Sequence, residues 1–413
     1  MLDPVKVFNI YGCHTCGCDP LLLGNLWKMA GIPKAASTHF SGHAEGQAYY
    51  DGRYNMLDGD QNEYVLLRDN ETIANEEEMT RDHDLVKRTH ASGILAHDNR
   101  LHDEGYAALF VYSGPPEGDR GYNSFPTTMN MTLRPGEALT WRWGHLNPPK
   151  YLSNSLPPAS VLLCNGLWEY KPDFQNDKVW RSGTSTQTNI ANNDGVLSGK
   201  DGQTGVIIWK IASPYVFIGG HIEAEGSGYS FKSGWTESMW EPVEGANLDS
   251  KFPPAGPARF SYFLKCELPQ GASLKNVKIV NDIQMHSLNL PAMVVGTNTF
   301  TYTDDNTDER KVSITHEWVE RSASKPPVMA EVPLYPVDNG VSDGTEIVFK
   351  WSPATDPDGD TIADYQFELF DRADLKYPMS ADFYKLISRT ADRGKAQYTL
   401  PYPGMLTPGK KYY

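Results

Sequence analysis

Two stretches decide how this chain folds near its start: CGCDPLLLGNLWKMAGIP at residues 16–33 and GHAEGQAYYDGRYNMLDGD at residues 42–60. The first predicts a helix over 19–31. Asp19 suits the N-cap and Pro20 the first turn. Leu22, Leu23, Leu26, Trp27 and Ala30 then recur at helical spacing. Gly31 ends the run and Ile32-Pro33 blocks its continuation. The second stretch predicts a hairpin: one strand over Ala44 to Tyr50, a turn at Asp51-Gly52, and a return strand over Tyr54 to Leu57. Residues 62–100 read as charged and partly helical, with Glu76-Glu77-Glu78 near a helix start and forming a solvated face.

Beyond Tyr106 the pattern changes to short β-prone runs broken by Gly, Pro and Asn. Strands are expected at 109–112, 129–133, 139–143, 205–211, 215–218, 259–267, 274–280, 299–302 and 311–318. That alternation is the mark of an all-β sandwich. Ser322 to Pro327 reads as a linker. A last β module starts near Pro333: strand 347–351, turn 356–360, strand 365–369. It resembles a fibronectin type III-like module with Trp351 as its strand tryptophan, ending before its last strands.

Composition excludes some function classes. The net charge of −15 comes with no Lys/Arg stripe, which argues against nucleic acid as a partner. No apolar run reaches eighteen residues, so no membrane-spanning helix is expected. Met1-Leu-Asp-Pro4 lacks the basic start and apolar centre of an export signal, and Thr407 to Tyr413 reads as a turn entering a strand that does not follow. The expectation is a fragment of a longer protein.

Chemistry concentrates in the first sixty residues. A thiol nucleophile needs a base within reach and a group that orients the base. Cys16 stands just before the expected helix, whose free N–H groups favour a thiolate. His43 opens the first hairpin strand and Asp58 closes the second. The hairpin turn places Asp58 opposite His43 or Ala44, with Asp60 beyond the partner strand. The stretch Cys16 to Asp58 resembles a transglutaminase-like core: Gly31-Ile32-Pro33 lies fifteen residues after Cys16, Gly42-His43-Ala44 follows, and Asp58 lies fifteen residues after His43. At the second position after the histidine the family usually carries an aromatic residue, where this chain has Glu45.

The resemblance implies a papain-like triad of Cys16 nucleophile, His43 base and Asp58 orienter, with no cofactor and no metal. It implies a hydrolase or acyltransferase acting on amide bonds of a protein, peptide or glycopeptide, in a secreted or cell-surface protein of bacterial type. The fold class that follows is multi-domain: a small α+β transglutaminase-like unit at 1–105, incomplete at its N-terminus; an all-β sandwich at 106–321; a linker at 322–332; and a truncated fibronectin type III-like module at 333–413. The alternative is a non-catalytic surface or glycan-binding protein in which that unit is only a scaffold. Trp141, Trp143, Trp168, Trp235 and Trp240 would then be candidates for a polysaccharide platform, against core packing.

Other readings of the same residues stay open. Cys13, His14, Cys16 and Cys18 could ligate zinc, but no second Cys/His pair follows at the usual distance. Cys13 and Cys16 could form a redox disulfide, and Cys18 could be the nucleophile. Asp356, Asp358 and Asp360 alternate as in a calcium loop, although a polar turn explains them as well. Cys164 and Cys266 read as small buried hydrophobes.

Overall fold

The computed structural model describes residues 3–12, 16–40, 42–59, 64–69, 71–89, 108–111, 127–145, 163–254, 256–294, 296–304, 311–318, 325–329, 333–376, 379, 387, 392–400, 404 and 406–413. Cys13, His14, Asp60 and most of the expected linker lie outside them. The chain divides into two compact units, Met1–His14 with Asn123–Ala292, and Thr15–Tyr122 with Met293–Tyr413.

In the second unit a helix runs over Asp19–Met29. Its cap is one residue earlier than expected: Cys18 is the flanking residue, and Asp19 lies buried within the first turn. It stops where Gly31 turns left-handed, at φ 93°. There Gly31 N–H donates to Lys28 O at 3.0 Å and Ile32 N–H to Trp27 O at 2.9 Å. These are the two bonds of a Schellman ending, which satisfy carbonyls the helix leaves open.

The helix lies on a three-stranded antiparallel sheet in the order β1 (Ala35–His39), β2 (Ala44–Tyr50), β3 (Arg53–Leu57). Strand β1 was not foreseen. The β2–β3 turn has φ of 52° at Asp51 and 78° at Gly52, the left-handed pair that a two-residue hairpin requires. The helix rests directly on β2: a Cβ on Gly46 would lie 2.8 Å from the Trp27 ring.

The opposite sheet face is covered by a second core of Phe40, Met56, Val65, Ala74, Met79, Leu85, Val86 and Phe110. Helices Glu76–Arg81 and His83–Thr89 supply part of it. Asn75 and Glu78 cap the first of these reciprocally, at 3.0 and 2.9 Å. The acidic run is not the solvated face expected. Glu77 is exposed, but Glu78 pairs with Arg53 and Glu76 is buried. The strand expected at 109–112 is instead a 3-10 turn, Ala108–Phe110, with Phe110 buried in this core.

The first unit holds two antiparallel sheets. One contains β4 (Glu137–His145), β5 (Leu163–Tyr170), β14 (Ser273–His286), β8 (Val196–Gly199) and β7 (Ile190–Asn193) in that order, with β10 (Val216–Ser227) also on β14. The other runs β12 (Met239–Pro242), β11 (Ser230–Thr236), β13 (Ser261–Leu268), β9 (Gly205–Ala212), β6 (Thr186–Thr188). Strands of both sheets bury residues in one core that includes Trp168, Trp209, Phe217, Tyr262 and Ile279. The sequence reading found β4, β9, β10, β13 and β14 and missed β5 to β8, β11 and β12. Residues 129–133, 299–302 and 311–318 form no strand.

The chain start belongs to this core as well. Residues Pro4–Lys6 and Val7–Tyr11 form two successive helical turns. Ile10 and Tyr11 are buried among its residues, and Gln284 Nε2 donates to Ile10 O at 3.5 Å.

A fourth sheet, in the second unit, has β15 (Pro333–Tyr335), β16 (Val348–Trp351) and β17 (Gln397–Thr399) around Ile347, Leu369, Ile387, Tyr398 and Leu400. In the segment expected as strand 365–369, Gln366 forms a single bridge, Ile387 N–H donates to Tyr365 O at 2.9 Å and Met379 N–H to Leu369 O at 2.9 Å. The Asp356–Asp360 loop is a polar turn: Asp356 Oδ1 accepts from Asp358 N–H at 2.8 Å and Asp360 N–H at 3.1 Å. The chain is therefore a multi-domain, β-rich protein. Among the described residues no helix is long and apolar enough to cross a membrane.

Candidate active site

Side chains along β2 alternate between two faces. Gly46 lies under Trp27 on the helix side. His43, Glu45 and Gln47 therefore project from the other side. The β2–β3 ladder pairs Gly46 with Leu57 and Gln47 with Met56. Continued by one residue, it sets Asp58 opposite Glu45, not opposite His43 or Ala44 as expected. His43 meets Asp58 on the diagonal instead.

That diagonal is a real contact. His43 Nε2 and Asp58 Oδ2 are 2.9 Å apart. Glu45 also reaches His43 Nε2, so two carboxylates share one imidazole nitrogen. All three residues are buried: His43 is 7 %, Glu45 0 % and Asp58 4 % exposed. The Phe110 ring stands edge-on to the imidazole with centroids 5.4 Å apart. An apolar wall of this kind strengthens electrostatic interactions by keeping water out.

A second buried polar group continues along the same face. Thr38, opposite Glu45 in the β1–β2 ladder, donates to Glu76 Oε2 at 3.1 Å. Gln47 Nε2 donates to Thr38 Oγ1 at 2.7 Å, and Gln47 Oε1 accepts from Glu76 N–H at 3.2 Å. Burial raises the Glu76 carboxyl above its ordinary range, and the hydrogen bonds from Thr38 and Gln47 only partly offset this.

The helix start is fastened to the same end of the sheet. Asp19 Oδ2 accepts from Gly59 N–H at 3.1 Å. A Cβ on Gly59 would lie 2.7 Å from Asp19 Oδ1, so this approach needs glycine. Asp19 N–H in turn donates to Cys16 O at 3.2 Å. The Cys16–Cys18 turn thus lies beside the strand end that carries Asp58. Cys16 is a free thiol, and both Cys16 and Cys18 are half-buried. Among the described residues the cluster of converging donors is His43, Glu45 and Asp58, and Cys16 is not a member of it.

The remaining described cysteines are the buried thiols expected. Burial raises the Cys164 thiol, and pushes that of Cys266 up to about 12. Of the five tryptophans considered for a platform, Trp168 is buried, while Trp141, Trp143 and Trp235 are exposed.

The sequence reading missed the roles of Glu45, Thr38, Gln47 and Glu76. Strand alternation from His43 would have put Glu45 and Gln47 on its face. Thr38 and Glu76 carry no such signal, because strand β1 was not foreseen and the acidic helix meets the sheet across 38 residues of sequence. Comparison with models of known protein families, with curated proteins and with solved structures finds no match to this chain.

Proposed function

We propose that the unit beginning at Cys16 is a transglutaminase-like cysteine hydrolase or acyltransferase acting on amide bonds of a protein or peptide. The observation that supports it is the buried His43–Asp58 pair, formed at the strand end where Asp19 fastens the helix start. Both carboxylates meet Nε2, so the nitrogen that serves as base is Nδ1. In the first step His43 takes the thiol proton of Cys16, and the sulfur attacks the amide carbonyl carbon. The C–N bond breaks, and the leaving amine takes that proton from His43. A thioester remains on Cys16. Water or a second amine, deprotonated by His43, then attacks the thioester. The product acid or amide leaves, and the proton returns to sulfur. Asp58 holds the imidazole in the required tautomer throughout.

The burial of His43, Glu45 and Asp58 supports a second reading, a non-catalytic unit whose polar groups only specify the sheet, in a protein that binds glycans through exposed tryptophans. One experiment separates the two. Brief treatment with substoichiometric iodoacetamide, read by mass spectrometry, should label Cys16 ahead of Cys18, Cys164 and Cys266, and His43→Ala should slow that labelling. Equal labelling of Cys16 and Cys18, unchanged by His43→Ala, would remove the catalytic reading.

A further inference from the structure

The pair of carboxylates on His43 does more than a triad asks. We propose that His43 Nε2, Glu45 and Asp58 form a binding site for one divalent transition-metal ion of the zinc class. Their donor atoms all lie within 4.8 Å of one another, and all three residues are buried. One imidazolium can offset one buried carboxylate, whereas a divalent cation offsets both. One nitrogen and two carboxylates are the ligand set of zinc or manganese. Calcium would ask for six to eight oxygens, and copper(I) for sulfur.

The geometry is close to what the ion needs. Tetrahedral bonds of about 2.1 Å hold ligand atoms about 3.4 Å apart. His43 Nε2 and Asp58 Oδ2, at 2.9 Å, must part by only about half an ångström. Glu45 lies on strand β2, paired with Thr38 of β1, while His43 directly precedes β2 and Asp58 directly follows β3, so the sheet brings the three together. The contrast with Asp356–Asp360 is direct: that loop is exposed, and Asp356 already accepts two backbone N–H groups.

The consequence for activity rests on the function proposed above. A metal on Nε2 displaces Asp58 from its hydrogen bond and leaves the proton of the neutral imidazole on Nδ1. His43 can then no longer accept the Cys16 proton. Metal occupancy is therefore an off-switch for the thiol.

The test uses the full chain carrying Cys13→Ser, Cys16→Ser and Cys18→Ser, which removes the thiols that would bind zinc on their own. After chelator treatment and desalting, zinc chloride is titrated calorimetrically, and retained metal is counted by mass spectrometry. The expected result is one zinc per chain. Glu45→Gln and Asp58→Asn, checked for fold by far-UV circular dichroism, should each weaken binding by at least about tenfold. No bound zinc, or equal affinity in both variants, overturns the site. A second arm, with the native cysteines, follows iodoacetamide labelling of Cys16 with and without zinc. Zinc should slow labelling in the wild type and much less in Glu45→Gln. Equal slowing in both overturns the switch. Zinc held by the cluster with Cys16 labelling unchanged leaves the metal site standing and refutes the pairing of Cys16 with His43.

Discussion

Replacing Ile10 by alanine should destabilise the two-sheet core of the first unit, whose first described strand begins more than a hundred residues later. Ile10 is 0 % exposed and lies in the core with Trp168, Trp209 and Ile283. The change removes three carbons, worth about 2.4 kcal/mol of transfer free energy at roughly 0.8 kcal/mol each. A cavity adds to this, because packed neighbours relax only in part, giving a loss of about 3 kcal/mol. For a unit of this size each kcal/mol lowers the Tm by about 2–4 °C, so the expected shift is about 6–12 °C. Tryptophan fluorescence reports on the right unit, since Trp168, Trp180 and Trp209 are all buried there. Phe40→Ala, in the core beside β1–β3, is the control and should leave that transition in place. The reasoning fails if Ile10→Ala moves that transition by less than about 2 °C, or if Phe40→Ala moves it equally.

Two further outcomes follow from the sheet beside the helix. Burial raises the Glu76 carboxyl, so the folded state holds its proton more tightly than the unfolded chain. Its contribution is thus fully present below the unfolded value, near pH 4.5, and is lost as pH rises through the folded value. Glu76→Gln should flatten the pH dependence of stability in that window, measured by urea unfolding from pH 4 to pH 8; an unchanged profile would show that Glu76 is not the group responsible. Gly46→Val forces the Trp27 ring away from β2 and should cost about 1–3 kcal/mol through overpacking. The same variant should slow iodoacetamide labelling of Cys16, and a stable variant with unchanged labelling would show that the helix seat is irrelevant to the thiol.

The fold was legible where the pattern is local. The 19–29 helix has its apolar spacing and its Gly31-Ile32-Pro33 stop written within fifteen residues, and the Asp51-Gly52 turn fixes the hairpin around it. Strands such as β7 and β8 are four residues long, and only the pairing of β7 with β8 and of β8 with β14 makes them strands. The burial of Ile10 and Tyr11 was beyond a local reading for the same reason: their partners are far away in sequence. The meeting of His43 with Asp58 was anticipated, but by a register one or two residues off. Continued one residue past its last pair, Gly46 with Leu57, the ladder sets Asp58 opposite Glu45, and the contact survives because diagonal neighbours on one face are still within reach of long side chains. Glu45 passed as a departure from a familiar pattern, although alternation alone put it beside His43.

The side of the sheet on which His43 lies is where the two functional readings divide. Residues of β2 under the helix are small, Ala44, Gly46 and Ala48, and they seat Trp27 and Pro20. His43, Glu45 and Gln47 point the other way. A thiol at the start of the helix can reach an imidazole on the far face only around the end of the sheet. That end is where Asp19 accepts the Gly59 N–H, and where the lack of a side chain on Gly59 lets the helix start come close. Asp58, the neighbour of Gly59, lies at the same end and touches His43. A catalytic site here is consequently an edge site, assembled by the Asp19–Gly59 contact more than by packing under the helix.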